Sequence, residues 1–374
     1  MAHDTVPGTV PDARAPASRG AAGPRLEVLD GLRFLAAMAV LAYHFTTMDR
    51  VWQRPAVELF PRQTFAYGWL GVYLFFLISG FVIGMSAWGR GAGSFLASRA
   101  VRLYPAYWLS VVVVAAVTTV WPWWQRPDGW GSTLVNLTMF QDAVGVSSVA
   151  EVYWTLWAEL RFYLLFSLVV LWGLTYRRVV GFCVVWLGAV AFAKVAVPDS
   201  DVLVHTALMT DHAPLFVGGV GCYLMYGFRP TITTWGIVGA SFVLSVPSAR
   251  FRAGLEAHHG EVVSRWPAVV LMAVCFALVA AVALGWLSWL RGRWLVVLGS
   301  TTYPLYLLHM DLGAPVLSRL RGILPPTVLV CVVTAAVIGV AWLVHRFVER
   351  PVAAWWRARR PAADSTPPHR PPVR

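Results

Sequence analysis

A few ionisable side chains stand out because long apolar runs surround them. DGLRFLAAMAVLAYHF holds Arg33 and His44. On a helix, eleven positions leave the two about 20° apart around the axis and about 16.5 Å apart along it, so they share one face. WTLWAELRFYLLF holds Glu159 and Arg161. Two positions do not share a face, so Glu159 must find its partner on another helix. Asp211 and His212 lie in a third run, and His309 and Asp311 in a fourth, TTYPLYLLHMD. An ionisable group in hydrocarbon is expensive and marks a working site by default. A neutral His can take the proton of a hydroxyl as it attacks a carbonyl, while a carboxylate orients the imidazole and stabilises its cation. No GxSxG is present, and Cys183, Cys222, Cys275 and Cys331 all lie in apolar segments without metal-type spacing. Base-assisted direct transfer is therefore the simplest chemistry, and no metal is expected.

Structural readings stand beside these. Arg33 can extend to lipid phosphates and His44 can bond a neighbouring carbonyl. Asp211 and Asp311 also read as carboxylates at helix ends. Arg99 and Arg102, in SRAVRLYPAY, are three apart and share a helical face. With Arg33, Arg346 and Arg350 they form a set of arginines at one end of the apolar runs. Each one alone reads as an ordinary interfacial anchor; together they suit a phosphorylated ligand, because guanidinium forks match phosphate oxygens.

The elements that must position these groups follow from composition. The 374 residues are 58% hydrophobic and 13% charged, with twenty Trp and a mean hydropathy of +0.63. An average soluble domain is about a quarter charged. This balance excludes a nucleic-acid-binding domain, a secreted disulfide scaffold and a disordered chain. It predicts an all-α polytopic membrane protein of about ten spans, near 29–48, 67–87, 103–121, 153–172, 178–197, 203–226, 231–247, 267–289, 295–318 and 325–347. The seventh is short and ends at Val246-Pro247. His44, Glu159, Asp211 and His309 then fall at similar depth on four helices. Of the 30 Lys and Arg, 18 lie on the side of the termini and 10 on the other; the acidic residues divide 6 and 9, and the rest lie within spans. The positive-inside bias puts both termini in the cytoplasm of a multi-pass cell-membrane protein. Residues 1–25 read as a disordered cytoplasmic tail, 26–355 as the transmembrane domain, and 356–374 as a basic Pro-rich tail.

Three patterns are set aside. His44 to Asp49 is an HxxxxD spacing that puts the pair on different faces of a helix. His258, His259 and Glu261 read as a solvated loop. Asn136-Leu137-Thr138 is a sequon whose use depends on the host.

The order LDGLRFLAAMAVLAYHF, GWLGVYLFFLISGFVI, RAVRLYPAYW, WTLWAELRFYLLF, YPLYLLH and VERP resembles the acyltransferase family three of integral membrane proteins, from about Leu29 to Pro351. The resemblance implies transfer of an acyl group, often acetyl, from cytosolic acyl-CoA to a hydroxyl of a sugar or sugar-bearing molecule. It implies that Arg33, His44, Arg99 and Arg102 matter, with Glu159 in the WxLxxE-like segment. Tyr73 stands where the family's GVxLFF segment often has Asp, which removes a carboxylate. No C-terminal hydrolase-like domain follows, so the membrane domain, or a partner protein of a glycan or natural-product pathway, must complete the transfer.

The resulting expectation is a bacterial acyl-CoA-dependent O-acyltransferase. His44 is its general base, Glu159 orients it or binds the acceptor, and Arg33, Arg99 and Arg102 hold the donor. Tyr73, Asp211 and His309 stand at or behind the acceptor. Acyl-CoA is a substrate, no cofactor is held permanently, and nucleic acid is no partner. A non-enzymatic transporter or flippase of a glycolipid or natural product shares the polar cavity but leaves the arginines without a role; a scaffold in a polysaccharide-export complex predicts that substitutions at Arg33 and His44 are tolerated while loop changes are not.

Overall fold

A computed structural model describes residues 26–52, 65–122, 129–198, 200–258 and 263–359. Most of both tails, together with His259 and Glu261, lies outside these residues. The helices run α1 Glu27–Thr46, α2 Asp49–Trp52, α3 Gly71–Ala87, α4 Ala92–Val120, α5 Trp130–Asn136, α6 Trp154–Leu171, α7 Tyr176–Ala196 and α8 Val202–Leu208. They continue with α9 Ala213–Gly227, α10 Ile232–His258, α11 Arg265–Ala283, α12 Arg293–Leu308, α13 Ala314–Leu320, α14 Pro326–Val344 and α15 Arg350–Ala358. Among the described residues there is no strand beyond a single bridge between Arg321 and Leu324. Backbone groups satisfied within each segment are what hydrocarbon demands of a spanning chain.

Among the described residues eight helical stretches are long and apolar enough to cross a bilayer. The two remaining expected spans are interrupted. In the sixth, Met209 takes a left-handed conformation (φ 54°) that ends α8, and α9 starts afresh after His212 with Pro214 in its first turn. The proline needs no N–H partner there. In the ninth, α12 gives way to a π turn at His309–Gly313 before α13. Pro315 explains the widening, since its ring would strike the carbonyl four residues back in a regular helix. The same device recurs at His345–Glu349, two residues before Pro351.

Two expected boundaries move. The seventh span does not end at Pro247: α10 continues to His258 with the proline inside it. The proline removes the N–H that would bond the carbonyl of Val243; one turn earlier Ser245 Oγ donates to Ser241 O at 2.8 Å. The third begins at Ala92, not 103, so Arg99 and Arg102 lie on a 29-residue helix. Asn136 is fully buried, donating to Ser132 O and Ser147 O and accepting from Val149 N, which makes it a loop organiser. Cys183 and Cys222 are buried, whereas Cys331 lies exposed on the outer surface of α14.

Helices α3 and α9 make the most extensive contact in the bundle. Small residues permit it, as in membrane helix pairs generally. A methyl at Gly219 would collide with the carbonyl oxygen of Leu77, and one at Gly80 with that of Phe216. Gly219→Ala is expected to destabilise the bundle by about 1–3 kcal/mol, the usual cost of overpacking. Thermal unfolding in detergent checks this, with Gly236→Ala, where a methyl meets open space, leaving the midpoint unchanged.

Candidate active site

Three cavities follow one another along α1. The first, about 560 Å³, opens at the end of the bundle that carries Leu26 and Trp356; its wall includes Arg33, Arg102, Tyr303, His345, Glu349 and Arg350. The second, about 90 Å³, is bordered by Arg33, Ser79, Arg102, Glu159, Tyr303 and Tyr306. The third, about 480 Å³, lies towards the opposite end and is lined by His44, Tyr73, Asp211, His212, Arg252 and Tyr306, among others. Arg33, Arg102, Gly299 and Tyr303 border both the first and second; Val72 and Tyr306 border both the second and third. Three turns of α1 thus carry Arg33 at one junction and His44 beyond the next.

His44 meets His309 at the third cavity. Their Nδ1 and Nε2 atoms are 2.7 Å apart, and the rings stack with centroids 5.0 Å apart. His309 is fully buried, and its Nδ1 lies 2.8 Å from Tyr306 O and 3.2 Å from Leu305 O. Only a protonated Nδ1 can donate to those carbonyls, so the His309 lone pair is on Nε2. His44 must then donate through Nδ1–H, which places its own basic lone pair on Nε2. A backbone carbonyl thereby fixes one imidazole, and that imidazole fixes the tautomer of the next. This is the logic by which a third group orients a catalytic base. The π turn that opens with His309 supplies the geometry.

Glu159 sits elsewhere. Its Oε1 accepts from Ser79 Oγ at 2.6 Å and from Tyr163 OH, and it lines the second cavity with Arg33 and Arg102. The orienting contact to His44 comes from His309 instead. Glu159 therefore stands nearer the Arg33 end of α1 than His44, not at the similar depth that the span limits gave it. Asp211 does line the third cavity with His44. It accepts from Ser248 Oγ at 2.7 Å and pairs with Lys194 at 3.2 Å. Tyr73 is buried in the same wall, edge-on to Trp69.

The arginines divide. Arg33 pairs with Asp30 at 3.5 Å and, like Arg102, borders two cavities. Arg350 lines the first cavity, whereas the Arg346 guanidinium lies over the ring of Phe347. Arg99 lies one turn before Arg102, over Phe95, and stands within electrostatic reach of Glu159 without lining the first or second cavity.

Several polar groups escaped the sequence reading. Tyr43 OH donates to Glu256 Oε2 at 2.6 Å, and Arg252 Nε donates to Glu256 Oε1 at 2.7 Å, building one wall of the third cavity. Ending the seventh span at Pro247 had left Arg252 and Glu256 in a loop. Tyr306 OH accepts from Thr155 at 2.9 Å and donates to Val152 O at 3.3 Å, holding its ring at the junction of the second and third cavities. The YPLYLLH run that contains Tyr306 was the available signal. Among the described residues no group of three or more His, Cys, Asp or Glu could hold a metal ion.

A helical membrane bundle with an oriented imidazole at the end of a line of polar cavities has the layout of an intramembrane group-transfer enzyme. The family model described as an acyltransferase domain matches residues 26–346, and the chain belongs to this acyltransferase family three. Acyltransferase MdmB of Streptomyces mycarofaciens is 25% identical over 375 residues, covering 92% of this chain and 96% of its own. No solved structure matches the chain. The protein is a membrane acyltransferase.

Proposed function

We propose that this acyltransferase moves a short acyl group from cytosolic acyl-CoA to a hydroxyl of a sugar or glycosylated small molecule. Ten crossings, with α8–α9 and α12–α13 as the two interrupted ones, put both termini in the cytoplasm of a bacterial cell membrane. The excess of arginine at the terminal end supports that orientation. The donor's phosphates dock at Arg33 and Arg102, and its pantetheine arm extends past Glu159 and Tyr306. The thioester carbonyl then stands by His44, while the acceptor enters the third cavity.

His44 Nε2 removes the hydroxyl proton as the oxygen attacks the carbonyl. The tetrahedral intermediate collapses with departure of the CoA thiolate, and the imidazolium returns its proton to the sulfur. Direct transfer of this kind needs no acyl-enzyme. His309 holds the imidazole in register throughout. The observation that carries the reading is the His44–His309 pair placed in line with an arginine-bordered cavity.

Purified protein supplied with radiolabelled acetyl-CoA and a pool of cellular glycosides is expected to release CoA thiol in step with label appearing on acceptor. A protein that instead carries the glycoside across sealed vesicles and releases no thiol is a transporter, and the proposal falls.

A further inference from the structure

The last residues of the C-terminal helix, from Trp356, were read in sequence as the start of a tail, yet this helix forms a wall of the first cavity. The stretch Pro326–Ala358 is helical for 33 residues. At 1.5 Å per residue it is about 50 Å long, against a hydrocarbon core of about 30 Å, so its last turns stand beyond the apolar layer. Helix α15 packs against α4 and is amphipathic. Arg350, Ala353, Trp356 and Arg357 face the cavity, while Trp355 is half exposed on the other side beneath Arg359.

Charge in this cavity is unbalanced. Its two carboxylates are engaged, Asp30 with Arg33 and Glu349 with His345 at 2.8 Å. Among the described residues no carboxylate pairs with Arg102, Arg350 or Arg357. Arg357 Nε donates to Ala353 O at 3.1 Å, which leaves both terminal nitrogens for a ligand. The wall thus offers three guanidinium groups beside one indole, with an alanine between Arg350 and Trp356 leaving space over the helix. Guanidinium forks match phosphate oxygens, and an aromatic face stacks a nucleobase irrespective of its identity.

We propose that α15 is a nucleotide subsite, in which Trp356 stacks the base of an adenosine phosphate and Arg350 and Arg357 hold its phosphates. This rests on the acyl-CoA reading above, and it names where the nucleotide end of that donor is recognised. Arg33 and Arg102 remain at the throat for the phosphate nearest the arm.

The test is equilibrium binding of adenosine 3′,5′-bisphosphate to the full chain in zwitterionic nanodiscs, which requires no turnover. Trp356→Ala is expected to weaken binding about tenfold, the usual scale of one stacked base, and Trp356→Phe to restore it to within threefold. Arg350→Gln is expected to weaken binding and to flatten its salt dependence. Equal binding by wild type and Trp356→Ala, or no binding by wild type, overturns the subsite. If acyl transfer from acyl-CoA proceeds and Trp356→Ala binds the bisphosphate normally, the subsite alone is wrong. If the bisphosphate binds through Trp356 but no CoA thioester is consumed, the functional proposal fails and the nucleotide site stands.

Discussion

Replacing His44 by asparagine is expected to lower the rate of acyl transfer about a thousandfold while the protein stays folded and binds CoA. The magnitude is that of a positioned general base, which contributes roughly 10²–10⁴-fold. Asparagine is the informative replacement because its amide N–H can still donate towards His309 Nε2. Alanine would leave that nitrogen unsatisfied in the interior, at a cost of about 1–3 kcal/mol. Any loss of activity in the asparagine variant then reports on proton acceptance, since the hydrogen bond to His309 is preserved. Steady-state thiol release with unaltered CoA binding checks it. Activity within tenfold of wild type removes His44 from the role.

Arg33 carries the second large effect. It stands where the first and second cavities meet, beside Asp30 and within reach of Glu159. Arg33→Gln removes a charged donor to the phosphates, and a hydrogen bond involving a charged group is worth about 1.5–3 kcal/mol. The KM for acyl-CoA is therefore expected to rise roughly tenfold to a hundredfold, with a much smaller change in kcat. Arg33→Lys should recover only part of this, because an ammonium is a point charge without the bidentate fork. The variant also leaves Asp30 and Glu159 short of a counter-charge, so its thermal midpoint should fall. Arg33→Gln combined with Glu159→Gln should recover stability without recovering donor affinity. Initial-rate measurements on the three variants separate binding from folding; an unchanged KM in Arg33→Gln contradicts the assignment.

Part of this geometry is legible in the sequence. Regular helix geometry alone puts Arg33 and His44 on one face, and both line the same row of cavities. The pairing of His44 with His309 was foreshadowed only as similar depth on two helices. The same reasoning misplaced Glu159, because a shift of about one turn in the limits of a span moves a side chain from one cavity to the next. Helix interruptions were hidden for a related reason. Met209 in a left-handed conformation and the π turn ahead of Pro315 leave the apolar run unbroken, so the windows saw two continuous spans. Pro247 had the converse effect, ending a span on paper although the helix continues and brings Arg252 and Glu256 to the third cavity. Trp356 and Arg357 were lost to composition, since a short basic stretch ahead of a Pro-rich tail resembles that tail more than it resembles a wall.

The π turns connect these points. Each begins with a histidine, His309 or His345, and each precedes a proline by two residues. The widened turn at His309 carries the side chain that orients the candidate base. The one at His345 carries the His345–Glu349 pair in the first cavity and leads directly into α15. Such widened turns recur at working sites in helices, and here a proline after the histidine is the sequence mark of both.

The central claim is that donor and base meet by way of the three cavities in line. A structure of the protein with a non-transferable thioether analogue of acetyl-CoA tests it most directly. The account predicts the nucleotide against α15, the diphosphate at Arg33 and Arg102, and the analogue's carbonyl within hydrogen-bonding distance of an acceptor hydroxyl bound to His44 Nε2. A nucleotide seated at the Arg252 end, or a carbonyl held at Glu159 away from His44, would contradict it.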